Sequence, residues 1–233
     1  MLYILAGICY SISILIDVFV WHLRYYFRFK TNLMYIMSLI IIFQFIARGF
    51  ILIFNPVMSY LTDKLQNPNS VWGATMMSHL FVLIFLILTF NVKLSKKAAY
   101  LIILVLSKNQ EIQVLPIESS SMWISELLKK SRSEKLKYFY FVFFAIIASA
   151  FYALGISFLY FLSFSYKNEI LILNSFTQIV NMFGTLIFLL YIDPIIYRAF
   201  DRKEGFIEIN LYALSRMMAH LFIIMVLLIM KPK

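Results

Sequence analysis

Phe81-Val-Leu-Ile-Phe-Leu-Ile-Leu88 is an unbroken apolar stretch inside a longer apolar run over residues 71–91. A run of about twenty apolar residues is long enough to cross the hydrocarbon of a bilayer as a helix. A strand of a transmembrane barrel would instead alternate apolar and polar residues over about ten positions. This stretch does not alternate, so it predicts a membrane-spanning helix.

Further runs of similar character lie on both sides of it, at 1–21, 33–54, 138–164, 170–192 and 209–230. The chain of 233 residues is 63% hydrophobic and only 14% charged, and its mean hydropathy is +0.87. These values lie far from those of a soluble domain. The predicted fold class is an all-α integral membrane protein with six transmembrane helices in two three-helix halves.

The longest connection between runs divides the chain into three parts. Residues 1–92 and 138–233 are predicted to form the two membrane halves, and residues 93–137 a basic cytoplasmic connection. In that connection the apolar run Tyr100–Leu106 is too short to span and predicts an interfacial or re-entrant helix. Residues 122–137 predict a second surface helix, and Ser131-x-x-Glu134 predicts a capping box at the start of the fourth span.

An odd number of spans in each half gives the halves opposite topology, which inverted-repeat transporters exploit. No convincing sequence identity between the halves is apparent, so an inverted repeat is one arrangement among those the topology allows.

Lysine and arginine are distributed unevenly among the connections. The first, third and fifth connections hold fifteen of these residues, whereas the second and fourth hold Lys64 and Lys167 and the C-terminal tail holds Lys231 and Lys233. Basic residues are retained on the cytoplasmic side. The distribution predicts that both termini are extracytoplasmic.

Several classes of protein are disfavoured by the sequence. The net charge of +10 is spread between spans with no nucleic-acid-binding signature, which argues against a nucleic-acid partner. Cys9 is the single cysteine, and no phosphate-binding loop, nucleophile elbow or metal-ligand spacing occurs. His22, His79 and His220 are interpreted as isolated core or interface residues. The sequence therefore predicts a protein that is not an enzyme and needs no metal or cofactor.

Charged residues within the apolar runs are the first candidates for function, because a charge in the membrane must face protein or water. Asp17, Arg48 and Arg216 lie in such runs, and Asp193 ends the fifth. Each has a structural alternative. Arg48 would reach the headgroups or pair with Asp63, and Asp17 would pair with Arg24 or Arg28. Asp193, before Pro194, would end a helix and neutralise Arg198 or Arg216.

The fifth run carries a polar stripe. Asn174, Gln178, Asn181 and Thr185 are spaced by four, three and four residues, which places them on one helical face with Thr177. Amides facing lipid would be unsatisfied, so this face is expected to meet another helix or to line a wet cavity. Gly184 would permit close helix packing.

The chain resembles the Amj family of lipid II flippases, the alternative to the MurJ type. In the first half the similarity lies in Leu15-Ile-Asp17, the basic turn Arg24–Thr31, Ala47-Arg48, Asn55-Pro56 and Asp63; in the second it lies in Tyr152–Gly155, Asn181–Thr185 and Ile192-Asp-Pro194. Residues 93–137 are not matched. The resemblance implies that the protein moves the undecaprenyl-pyrophosphate-linked peptidoglycan precursor, lipid II, from the inner to the outer leaflet of the bacterial cytoplasmic membrane.

This implied function gives the candidate residues roles. Arg48 and Arg216 would bind phosphate oxygens, while Asn174, Gln178 and Asn181 would bind sugar or peptide. Asp17 and Asp193 would pair with arginines when substrate is absent, and Arg24 completes the candidate set. Two other functions remain open: a non-transporting scaffold whose basic connection recruits a partner, and an ion-coupled transporter of a small solute. The oligomeric state is also left open.

Overall fold

A computed structural model of the chain describes residues 2–27, 33–106, 122–166, 169–202 and 204–232. These residues form nine α-helices and contain no strand. The helices are α1 (Leu2–Tyr26), α2 (Leu33–Asp63), α3 (Pro68–Thr89), α4 (Val92–Leu106), α5 (Met122–Lys129), α6 (Arg132–Ser165), α7 (Ile170–Ile187), α8 (Asp193–Asp201) and α9 (Phe206–Ile229).

Six helical segments are long and apolar enough to cross a membrane, which confirms the predicted fold class. The fifth comprises α7, a π-helical segment over Phe188–Ile192 and α8, and it runs without interruption to Asp201. Large apolar side chains such as Leu52, Leu190 and Ile229 are exposed on the outer faces of these helices. The protein is therefore a multi-pass membrane protein.

The helices are longer than the apolar runs from which they were predicted. Helix α2 continues through Pro56 as far as Asp63. Asp193 has helical backbone angles (φ −52°, ψ −51°), so the expectation that it ends the fifth span before Pro194 is wrong. The Asp193 N–H donates to the carbonyl of Phe188, five residues earlier, and the chain passes from the π-helical segment into α8 without a break.

Each half is organised around its first span. Helix α1 packs against α2 and α3, and helix α6 packs against α7 and α9. The halves meet chiefly where α3 packs on α9, with smaller contacts of α1 with α9 and of α3 with α6. Tyr10, Tyr212 and Ile223 are fully buried in this region. The core therefore lies between the first and third spans of the two halves.

The described part of the connection between the halves is helical except at Lys130 and Ser131. The surface helix predicted over 122–137 is therefore too long: it ends at Lys129, and residues 132–137 belong to α6. Helix α4 covers the predicted short apolar run and packs on α1 and α3, and α5 packs on α9. The Ser131 side chain accepts a hydrogen bond from the Glu134 backbone, and the Glu134 carboxylate accepts one from the Ser131 backbone, which confirms the capping box. Residues 107–121, with Lys108 and Pro116, lie outside the described residues.

Candidate functional site: an intramembrane cavity

A cavity of about 280 Å³ lies between the two halves. Helices α1, α2, α6 and α9 and the π-helical segment all contribute to its wall. The lining residues are Tyr10, Ser13, Ile14, Asp17, Gln44, Ala47, Arg48, Ile51, Tyr152, Phe188 and Arg216. The structure thus brings three of the sequence-predicted charged residues to one place in the middle of the spans.

Arg216 and Asp17 form an ion pair that joins α9 to α1. The pairing of Asp17 with an intramembrane arginine is confirmed, and the alternative pairing with Arg24 is not adopted. Arg28, the other alternative partner, lies outside the described residues. The Arg216 side chain is only 5% exposed, whereas that of Asp17 is 41% exposed to the cavity. Arg216 also donates from Nε to the Tyr212 hydroxyl at 2.9 Å, and Tyr152 lies beside its guanidinium, 5.7 Å from ring centroid to Cζ.

Arg48 differs from Arg216 because it is exposed and has no hydrogen bond or ion pair with any residue in the described part of the chain. Its Cζ lies 5.7 Å from the centre of the Phe45 ring. The alternative pairing with Asp63 is wrong, since both residues lie on the continuous helix α2 and fifteen residues of helix span about 22 Å. Because Asp17 neutralises Arg216, Arg48 leaves the cavity with an excess positive charge.

Arg24, near the end of α1, and Asp193, at the start of α8, do not line the cavity. Arg24 donates to the Tyr197 hydroxyl and lies over the Tyr197 ring, 4.2 Å from its centre. Asp193 interacts electrostatically with Arg24 and Asp17, and its Oδ1 is buried without a hydrogen-bond partner among the described residues. Its predicted pairing with Arg198 or Arg216 is wrong: Arg198 donates to the Pro194 carbonyl, and Arg216 pairs with Asp17.

The polar stripe of the fifth span faces α6 over part of its length. Asn181 Oδ1 is buried without a hydrogen-bond partner in the described structure and lies against Gly155 of α6. The Thr185 and Tyr152 hydroxyls are 2.8 Å apart. Gln178 is exposed, and the Asn174 side chain lies outside the described residues. Neither Gln178 nor Asn181 lines the cavity, and the contacts of Asn181 are those of helix packing.

His79 and His220 are not isolated, contrary to the sequence interpretation. Their Nδ1 atoms are 2.7 Å apart, and His79 Nε2 lies 2.8 Å from the Ser157 hydroxyl. The group joins α3, α9 and α6 and is fully buried. One arrangement of protons satisfies most of its atoms: His220 Nδ1 donates to His79 Nδ1, and His79 Nε2 donates to Ser157. His220 Nε2, which has no partner in the described structure, is then a bare acceptor, which costs less than a buried N–H.

A signal for this pair was present in the sequence. Met76-Met-Ser-His-Leu-Phe81 in α3 and Met217-Met-Ala-His-Leu-Phe222 in α9 share five of six residues. Such a short identity is easily overlooked in apolar helices of similar composition. It places the two histidines at equivalent positions of the two halves.

No family model, curated protein or solved structure matches this chain. The function is therefore argued from the cavity, its charges and the arrangement of the helices. The cavity is small, lies in the middle of the spans and presents one fully paired and one unpaired arginine. Such an arrangement is suited to hold an anionic group within the membrane, because guanidinium groups bind phosphate and carboxylate oxygens through paired hydrogen bonds.

Proposed function

We propose that the protein is a lipid II flippase, which moves the undecaprenyl-pyrophosphate-linked peptidoglycan precursor from the inner to the outer leaflet of the bacterial cytoplasmic membrane. One observation carries the proposal: Arg48 and Arg216 line a single cavity between the two membrane halves. The resemblance to the Amj family supports the same cargo. Both termini lie outside the cytoplasm in this proposal, as the distribution of basic residues predicts.

The charges around the cavity suggest how a pyrophosphate is taken up. Arg48 is exposed and has no ion-pair partner in the described structure, so it attracts the anion first. Arg216 is already paired with Asp17, and the incoming phosphate competes with that carboxylate. Asp17, which is exposed to the cavity, then becomes hydrated instead. Exchange of one anion for another keeps Arg216 neutralised throughout, which matters because an unpaired buried charge is costly.

The polyprenyl tail needs no site inside the protein. In this proposal the tail remains in lipid while the headgroup occupies the cavity. Sugar and peptide groups are larger than the cavity in its present form, and their passage requires the halves to separate. The protein changes the position of its cargo and breaks no bond in it.

Rescue of cells depleted of their other lipid II flippases tests the proposal. Outer-leaflet precursor is measured by its accessibility to an externally added cleaving enzyme. The unaltered chain is expected to restore both growth and accessibility, and Arg48→Ala is expected to lose most of that accessibility. Lys64→Ala is the matched control because it removes an exposed charge just beyond the same helix α2, away from the cavity.

Three results would contradict this function: no rescue despite verified membrane expression, rescue that does not depend on Arg48, or equal loss in both variants. A scaffold would instead depend on residues 93–137 more than on Arg48. An ion-coupled solute transporter would show uptake driven by a proton or sodium gradient without any change in exposed precursor.

A further inference from the structure

Two short segments of the first half recur in the second. The first is the six-residue segment around the histidine in α3 and α9, Met76–Phe81 and Met217–Phe222. The second is Asn55-Pro56, followed after the proline by Asp63-Lys64, which corresponds to Asp193-Pro194 followed by Asp201-Arg202. In both copies the aspartate lies seven residues after the proline. The two segments occur in the same order in each half. The second span of the first half therefore corresponds to the second span of the second half, and the third span to the third.

The packing of the helices follows the same correspondence. In each half the first span packs on both the second and the third: α1 on α2 and α3, and α6 on α7 and α9. Two minor contacts between the halves also correspond, since α1 touches α9 and α6 touches α3. The packing of α2 on α6 is matched in the other half only by side-chain contacts of α1 such as Arg24–Tyr197.

The contact between α3 and α9 has the register that a two-fold axis requires. When such an axis relates two antiparallel helices, equivalent residues meet at the axis and the others pair symmetrically around it. His79 and His220 are in direct contact. Trp72, seven residues before His79, donates to the carbonyl of Leu227, seven residues after His220, at 2.8 Å. Met76 and Ile223, three residues from the histidines, share one apolar cluster.

The same correspondence relates two contacts at opposite ends of the spans. Near the end of α6, the Tyr160 hydroxyl donates to Asn55 of the first half, 3.2 Å from Oδ1. Near the end of α1, Arg24 binds Tyr197 of the second half, one helical turn beyond Asp193. Each contact joins the first span of one half to the Asx-Pro segment of the other. Because the halves have opposite topology, one contact lies near each face of the membrane.

We propose that the halves are an inverted repeat about the His79–His220 contact, and that Tyr160–Asn55 and Arg24–Tyr197 are equivalent closures on the two sides of the cavity. This inference rests on the proposed transport function and describes how the same cavity opens. Opening at Arg24–Tyr197 admits the headgroup from the basic, cytoplasmic side. Opening at Tyr160–Asn55 releases it on the other side.

The two closures are chemically unequal. Tyr160 and Asn55 form neutral hydrogen bonds, whereas Arg24 adds a cation–π contact with Tyr197 and a charge near Asp193. The histidine pair stays buried in both states because it lies on the axis, where relative displacement of the halves is smallest. The correspondence between the halves does not extend to the charged residues of the cavity: the position in α3 that corresponds to Arg216 is Thr75. The two cavity arginines therefore come from different positions of the repeat, Arg48 from the second span of the first half and Arg216 from the third span of the second half.

The closures are tested by measuring how readily a thiol reagent reaches the cavity from each face of the membrane. This measurement does not depend on the transport of a lipid. The background is Cys9→Ser with Ser13→Cys as the reporter, since Ser13 lines the cavity and is 6% exposed. A membrane-impermeant methanethiosulfonate reagent is applied to intact cells and to inverted membrane vesicles. Tyr160→Phe and Tyr197→Phe each remove one hydroxyl and keep the ring, so both proteins are expected to fold.

Tyr160→Phe is expected to increase modification from the outer face about fivefold and to decrease it from the inner face, since one hydrogen bond shifts an equilibrium by about that factor. Tyr197→Phe is expected to do the reverse. Tyr3→Phe is the matched control: its hydroxyl donates to Ser70 within the first half, at neither closure, and modification should not change.

The proposal is overturned if both variants raise modification from the same face, or if neither differs from Tyr3→Phe. The result is independent of the cargo. If the unaltered chain rescues the cells but the two tyrosine variants do not change access from opposite faces, the closures are refuted and the flippase function stands. If the two variants do change access from opposite faces but the chain does not rescue the cells, the closures are supported and lipid II is refuted as the cargo.

Discussion

Asp17 and Arg216 form one ion pair but are unequally exposed, so the two residues should not be equally costly to replace. Arg216→Met leaves Asp17 alone, and water in the cavity reaches that carboxylate because it is 41% exposed. Asp17→Leu leaves Arg216, which is 5% exposed, with the Tyr212 hydroxyl as its one hydrogen-bond partner among the described residues. Breaking a buried pair costs about 3–5 kcal/mol when the remaining charge stays buried. We expect Asp17→Leu to approach about 3 kcal/mol and Arg216→Met to cost clearly less.

Thermal unfolding of the purified protein in detergent measures this difference. The double variant Asp17→Leu/Arg216→Met removes both charges and should be more stable than Asp17→Leu alone. A larger loss for Arg216→Met than for Asp17→Leu would mean that Asp17 is not hydrated through the cavity.

Ser157 accepts the proton of His79 Nε2 in the arrangement that satisfies the buried histidine pair. Ser157→Ala should therefore leave a buried N–H without an acceptor and lower the free energy of unfolding by about 1–3 kcal/mol. Ser163→Ala is the control, because the Ser163 hydroxyl donates to the Tyr160 carbonyl of its own helix and leaves no other side chain unsatisfied. Equal melting temperatures for the two variants would contradict the assigned protonation.

Sequence alone could identify the charged residues of the cavity but not the other residues that line it. Asp17, Arg48 and Arg216 stand out because a charge in an apolar run is costly wherever it lies. Which helix faces meet depends on the packing of all six spans, so the sequence did not decide which arginine pairs with Asp17, and the hexapeptide shared by α3 and α9 did not by itself show that His79 and His220 touch. The stripe containing Asn181 shows that one face of the helix is covered, and does not show by what.

At the scale of helices, the contact between α6 and α7 depends on two glycines. A Cβ at Gly184 would lie 3.0 Å from the backbone carbonyl oxygen of Ala148, which cannot rotate away. A Cβ at Gly49 or Gly73 meets no atom within 4 Å. Gly184→Ala should destabilise the protein by forcing the helices apart. Gly49→Ala should be neutral or stabilising by up to about 1 kcal/mol, the difference in helix propensity.

Melting temperatures of the two glycine variants in the same detergent make the comparison. Gly155→Ala is expected to fall between them, since its Cβ meets the Asn181 side chain rather than backbone. If Gly184→Ala is as stable as Gly49→Ala, then α6 and α7 are not held at the distance described.

The six spans and the capping box of α6 were predictable because apolar runs and the Ser-x-x-Glu pattern are local signals. The ends of the spans were less predictable. Rules for proline derive largely from proteins in water, where an unpaired carbonyl is hydrated. In a membrane a broken helix has no such partner, so α2 continues past Pro56 and the fifth span continues past Pro194.

At the scale of the whole molecule, the six spans found among the described residues predict that both termini lie on one side of the membrane. The fifteen basic residues of the odd-numbered connections predict which side. Alkaline phosphatase, which is active only outside the cytoplasm, should be active when fused after Lys233 and inactive when fused after Lys129. Fusions of green fluorescent protein at the same positions should give the opposite pattern. Phosphatase activity at Lys129 would reverse the orientation and exchange the faces of the two closures.

The π-helical segment bears on how the fifth span moves during such opening. Phe188, its first residue, lines the cavity, while Ile192 at its end is fully buried. A π turn holds one residue more than the α-helix around it, and it would move along the helix if one backbone hydrogen bond passed to a neighbouring carbonyl. Migration past Phe188 would rotate that residue by about 100° relative to α8. A different side chain of the fifth span would then line the cavity. The change would require only a shift of register within one helix, and both ends of the span would stay in place.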